Sequence, residues 1–189
     1  MTEFNRRRRD PRGFSLIEVM FALGIMAVLA GMAVVQIGIT RDAMRGDGAM
    51  RVVLAQMNQA RELAITQRRY MRVTFTNTNT VNIVREDTTT TTTTLSSVPF
   101  EGGVKFSLMN GVPDTPDAFG RSAAVYFGSA ANVKFGPDGT LVNQDGQSAN
   151  GTIFTAIPNL PMTFRAVTIM GATGRVRGYR WDGQTWKVV

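Results

Sequence analysis

Apolar residues crowd one stretch of the chain, from Phe14 to Ile39, and are spaced periodically after it. The 22 residues from Phe14 to Val35 would span about 33 Å as a helix, which matches the hydrocarbon core of a bilayer. A run this long and this apolar is unlike the core helix of a soluble protein. Beyond Thr40 the pattern turns amphipathic. Met50, Val53, Leu54, Met57, Ala60 and Ala64 recur at helical spacing, with Arg51, Gln56, Asn58, Gln59 and Arg61 on the other faces. The pattern predicts one long helix from about Phe14 to Arg68, with Gly46-Asp47-Gly48 expected to loosen the junction between its halves.

From Tyr70 the period changes to two. Tyr70–Phe75 and Val81–Arg85 read as a hairpin through Thr76-Asn77-Thr78-Asn79. The uninterrupted run Thr88–Thr94 reads as a solvated loop, and Glu101–Arg121 as irregular. Val133–Phe135 leads through the turn Gly136-Pro137-Asp138-Gly139 to Thr140–Val142. Gly151–Ile157, Thr163–Met170 and Arg175–Trp181 follow, and Asp182-Gly183 turns the chain into Thr185–Val189. The fold class is therefore α+β: a long N-terminal helix packed on an antiparallel β-sheet head. The chain divides into a leader (1–13), a membrane-spanning half-helix (14–39), an amphipathic half-helix (40–69) and a β-rich head (70–189).

Charge changes this picture little. Of the net +7, the leader carries +3 through Arg6, Arg7, Arg8, Arg9 and Arg12 against Glu3 and Asp10, leaving +4 for the rest. Arginines before the apolar segment and none within it place the N-terminus in the cytoplasm. The chain has no cysteine and no histidine, which excludes disulfides, thiol nucleophiles, histidine bases and the usual zinc sites. The acidic residues are scattered. Glu86-Asp87 reads as a solvated strand end, and Asp138 and Asp145 as turn residues. No catalysis, cofactor or metal is expected.

Two features of the apolar segment are specific. An ordinary secretory signal places its small-residue cleavage site after a shorter apolar run; here Gly13 precedes the run, so a cut there keeps the helix on the mature chain. Glu18 is the only ionisable group between Phe14 and Ile39. A carboxylate in hydrocarbon costs about 2.5–3.5 kcal/mol on insertion scales. Cleavage after Gly13 would free an ammonium on Phe14, four residues away, able to neutralise Glu18 within one subunit or between neighbours.

Gly13-Phe14-Ser15-Leu16-Ile17-Glu18 resembles the cleavage and N-methylation motif of type IV prepilins and type II secretion pseudopilins. The resemblance implies a prepilin peptidase that cuts after Gly13 and methylates Phe14, and a subunit-docking role for Glu18. Many major pilins carry a helix-kinking proline in this segment. None occurs here, but Gly24, Gly31 and Gly38 leave room for bending or close approach.

In the head, Val133-Lys134-Phe135-Gly136-Pro137-Asp138-Gly139, the strand Thr163–Met170 and Gly174-Arg175-Val176 resemble H-type minor pseudopilins and FimT-like minor pilins. The family likeness implies a minor subunit, anchored in the inner membrane with its head in the periplasm. Such a subunit helps to initiate or cap a pilus or pseudopilus through contacts with other subunits. FimT-like pilins use a Gly-Arg-x-Arg segment to hold DNA, so the alternative is a DNA-binding minor pilin with Arg175, Arg177 and Arg180 as its contacts. Alternation along a strand puts Arg175 and Arg177 on one face about 7 Å apart, near the phosphate spacing of a DNA strand. Without DNA, the same arginines read as a solvated strand face. Arg68, Arg69 and Arg72 form a second, weaker basic cluster.

Overall fold

The computed structural model describes residues 13–88, 90–128 and 132–189, without the side chains of residues 34–37 and 39. The expected leader lies outside the described residues but for Gly13. The chain forms two compact units, Met1–Thr40 and Arg41–Val189. One helix, α1 (Leu16–Gln67), belongs to both.

In the first unit α1 carries the window Leu16–Ala33, with a mean hydropathy of 2.2 and none of it buried. A helix that is apolar all round and covered by nothing of its own chain needs lipid or other helices around it.

In the second unit α1 is amphipathic as expected: Met50, Val53, Met57, Ala60 and Ala64 are fully buried. The helix ends in a Schellman turn. Arg68 takes the left-handed conformation (φ 52°), and the Arg69 N–H donates back to the Ala64 carbonyl at 3.3 Å.

The α+β class holds, as two antiparallel sheets around the second half of α1. The first sheet contains β1 (Met71–Thr76), β2 (Thr80–Glu86), β3 (Thr92–Pro99), β6 (Val133–Phe135) and β7 (Leu141–Val142), in the order β3-β2-β1-β6-β7. The second contains β4 (Lys105–Phe106), β8 (Gly151–Ala156), β9 (Arg165–Met170), β10 (Arg175–Trp181) and β11 (Trp186–Val188), in the order β11-β10-β9-β8-β4. β5 (Val125–Tyr126) also pairs with β8. The main core joins α1 to the inner faces of both sheets through Met71, Val73, Ile83, Phe135, Ile153 and Ile169. A second cluster, with Phe154, Phe164, Ala166, Tyr179 and Trp181, covers the opposite face of the second sheet.

Three expectations are corrected. The threonine run is not a loop throughout: from Thr92 it is β3, paired along β2 from Glu86↔Thr92 to Thr80↔Pro99. β-branched side chains suit an exposed pleated strand, which the low complexity of the run concealed.

Gly46-Asp47-Gly48 does not loosen α1. A Cβ on Gly46 would lie 2.5 Å from the Thr163 carbonyl oxygen, so this glycine lets the helix reach the backbone of the short 3-10 turn Pro161–Thr163 that precedes β9. Next to it, Asp47 accepts a bond from the Arg165 Nε at 2.5 Å.

Glu86 and Asp87 do stand at the end of β2, but they are ion-paired and only partly exposed. Glu86 pairs with Arg72 and with Lys134 (3.1 Å), and Asp87 with Arg85 (2.6 Å) and the Thr93 hydroxyl (2.5 Å). Burial pushes the Glu86 carboxyl up, but the hydrogen bonds from Arg72 and Lys134 outweigh it and hold it below the usual range.

Candidate functional site

Helix α1 starts only at Leu16, so Gly13, Phe14 and Ser15 lie outside it. Ser15 caps the first turn: its Oγ accepts from the Glu18 N–H at 3.3 Å, and its carbonyl accepts from Val19 N–H at 3.2 Å. Ser15-Leu16-Ile17-Glu18 has the spacing of a capping box, a second signal in these residues beside the docking role. The Glu18 carboxylate sits in the first turn, where the helix dipole favours negative charge.

Phe14 is 81% exposed, and nothing among the described residues approaches within 4 Å of where a Gly13 Cβ would stand. Glu18 is exposed too, and its carboxylate has no hydrogen-bond or ionic partner among the described residues. A lone carboxylate in an otherwise apolar, uncovered helix calls for a counter-charge from elsewhere.

The three head arginines divide between two faces of the second sheet. The register of β10 against β9 is unbroken from Arg175↔Met170 to Arg180↔Arg165. Arg175, Arg177, Tyr179 and Trp181 therefore share the face away from α1, while Val176, Gly178 and Arg180 share the face toward it. The glycine confirms the assignment: a Cβ there would stand 3.1 Å from Leu54 and from Met50 of α1.

Arg177 is not a free cation. Asp117, from the long segment between β4 and β5, binds its Nη1 at 3.4 Å and also accepts from the Thr168 hydroxyl (2.6 Å) and the Tyr179 hydroxyl (2.8 Å). Burial, then the bond to Asp117, raises the Tyr179 phenol above its ordinary range. Sequence reasoning missed Asp117, which sits in an irregular segment with no periodic signal. The Arg175 side chain is exposed and unpaired among the described residues, so the pair presents one full cation and one compensated cation.

Of the remaining cluster, Arg72 is taken up by Glu86. Arg69 donates to the Asp87 carbonyl at 2.7 Å, and its Nη1 lies 3.9 Å from the carboxylate.

The glycine before Arg175 has a structural reason. Gly174 has φ 63°, and a Cβ on it would stand 2.0 Å from the Gly139 carbonyl oxygen. That carbonyl also accepts from the Arg61 Nε of α1 at 3.1 Å. The stretches Gly136–Gly139 and Gly174-Arg175-Val176 therefore meet at one contact on the helix.

Residues 8–34 match the prokaryotic N-terminal methylation motif. No curated protein and no solved structure matches the chain. The match covers the Gly13–Phe14 junction, Glu18 and the uncovered apolar window. It supports a type IV prepilin-like chain processed by a prepilin peptidase and assembling with pilin-type subunits.

Proposed function

We propose that the chain is a minor subunit of a type IV pilus or type II secretion pseudopilus, one that helps to initiate or cap the filament. The observation that carries this reading is the Glu18 carboxylate, unpartnered among the described residues, in the uncovered apolar window Leu16–Ala33, in the segment that matches the methylation motif and four residues after Phe14. The helix anchors the precursor in the inner membrane, with the leader cytoplasmic and the head periplasmic. After cleavage and methylation of Phe14 it joins the filament core. There the Glu18 carboxylate meets the terminal ammonium of a neighbouring subunit, which fixes the register. Burial of the apolar face among other helices supplies the assembly energy, and the chain performs no catalysis.

Co-expression with a prepilin peptidase is expected to give a chain that begins at methylated Phe14, read by mass spectrometry of the N-terminal peptide. An intact Met1 beside an active peptidase overturns the reading. Glu18→Ala is expected to be cleaved like the native chain but to be absent from sheared filaments, whereas normal incorporation refutes the docking role.

DNA capture is the second reading, favoured by the exposed Arg175 beside Arg177 on one sheet face. The subunit reading expects the full chain in detergent to show no salt-sensitive binding to a fluorescent duplex in an anisotropy titration. Binding that weakens with salt, collapses in Arg175→Ala/Arg177→Ala and tightens in Asp117→Asn, which frees Arg177, would establish DNA uptake instead.

A further inference from the structure

Five strands stand at sheet edges: β3 and β7 in the first sheet, and β11, β4 and β5 in the second. β7, β4 and β5 have two residues each and β11 three, too short to template a further strand. β3 has eight. A strand edge carries a row of unpaired backbone N–H and C=O groups, which sheets commonly blunt with charge, proline or a cover. Thr92–Pro99 holds no charged residue, and its single proline is the last residue. Most of its residues are exposed, and among the described residues no strand other than β2 pairs with it.

The faces of β3 define what it can accept. Ser96 and Val98 face α1: the Ser96 hydroxyl donates to the Gln56 carboxamide at 2.9 Å, and Val98 lies opposite Val81 of the main core. The register with β2 shifts between Ile83 and Val84, which leaves Leu95 without a partner there and resets the alternation beyond it. Thr93, opposite Arg85, therefore also stands on the helix side, while Thr92, Thr94, Ser97 and Pro99 stand on the outward side.

The complement of this edge is an extended, uncharged segment with an open edge of its own. Among the described residues β3 is the strand that qualifies. An antiparallel second copy of β3 opposes no like charges. With Thr94 opposite Ser97 of the copy, the whole strand pairs: Thr92 meets Pro99, Thr93 meets Val98, and Leu95 meets Ser96 at the centre. Outward side chains then oppose outward ones and inward oppose inward, whereas a shift of one residue sets the two faces against each other.

We propose that two copies of this chain pair edge to edge through β3, antiparallel and two-fold, joining their first sheets into one. A two-fold contact closes on itself, so it gives a pair and does not propagate along a filament. A contact of one strand is also small for a specific interface, so the pair dissociates on dilution.

The chain has no cysteine, so introduced thiols report without background. Full-length Thr94→Cys and Ser97→Cys chains, mixed in detergent and oxidised, are expected to form a disulfide-linked pair, because directly opposed Cα atoms lie within disulfide range. Each variant oxidised alone is expected to form none, since the two-fold leaves Thr94 roughly 10 Å along the strand from the copy's Thr94. In sedimentation, Thr94→Lys/Ser97→Lys sets like charges against each other twice on an exposed face and is expected to weaken the pair about tenfold. Thr94→Lys/Ser97→Glu, with opposite charges at the same positions, is expected to retain it.

A chain that sediments as a monomer at every concentration overturns the proposal and leaves the edge for a strand of a different subunit. Pairing that survives Thr94→Lys/Ser97→Lys unchanged, or disulfides that form as readily in each cysteine variant alone, overturns it too and places the contact elsewhere on the chain.

Discussion

Gly174→Ala is expected to be among the most damaging single-methyl substitutions in the head, while Arg175→Ala next to it is nearly silent. Two separate effects act at Gly174. Its φ of 63° is left-handed, which costs an L residue of order 1–3 kcal/mol. The added Cβ would also stand 2.0 Å from the Gly139 carbonyl oxygen, which is backbone in a tight turn and cannot swing aside. Forcing that turn away adds of order 1–3 kcal/mol and breaks the bond from Arg61 to the same carbonyl.

A total of about 4 kcal/mol is a large share of the 5–15 kcal/mol that typically separates a folded domain from its unfolded chain. Arg175 is exposed and unpaired among the described residues, so its truncation is expected to stay within about 0.5 kcal/mol. Urea titrations of the full chain in detergent check both, as a shift in midpoint at constant slope. If Gly174→Ala unfolds with the native midpoint, the glycine is not there for the turn.

This contrast bears on what a short motif can say. Gly174-Arg175-Val176-Arg177 is legible in the sequence as a unit, but its residues do different things. Gly174 receives a turn, Val176 packs on the main core, Arg177 is held by Asp117, and only Arg175 points into solvent unpaired. The partition depends on Asp117, sixty positions away in an irregular stretch, and no local pattern links the two.

The helix and the central strands were legible because burial imposes a period on them. Met50, Val53 and Met57 face one core, and β8 to β10 alternate between two. The end of α1 carries no glycine or proline as a stop signal, because Arg68 itself adopts the left-handed turn. β3 escaped because it is exposed on both faces over most of its length, leaving no apolar alternation to read. At the N-terminus the reverse holds. The junction Gly13–Phe14 and the lone carboxylate of Glu18 in an apolar run are local features, and the segment that holds them, residues 8–34, is the one that matches the methylation motif.

Asp47→Ala is expected to release the helix from the second sheet where the head begins, at a cost of about 3 kcal/mol, in the range seen when one partner of a buried ion pair is removed. The reason lies with the residue left behind. Arg165 has no exposed surface, and Asp47 is its only carboxylate among the described residues. With Asp47 gone, the guanidinium keeps three carbonyl acceptors but stays charged without a carboxylate and with none of its own surface exposed.

Arg165→Met alone is expected to cost less, because an apolar side chain of similar length fills the site and no charge is stranded. Once Arg165 is Met, the further change of Asp47 to Ala is expected to cost little. A double-mutant cycle should therefore give a coupling of about 2 kcal/mol between the two positions. Hydrogen exchange separates local from global loss: faster exchange of the amides from Ala43 to Met50, with the central strands unchanged, is the expected pattern for Asp47→Ala. Unchanged exchange there, with native stability, would mean that Gly46 and the Thr163 backbone hold the helix without the ion pair.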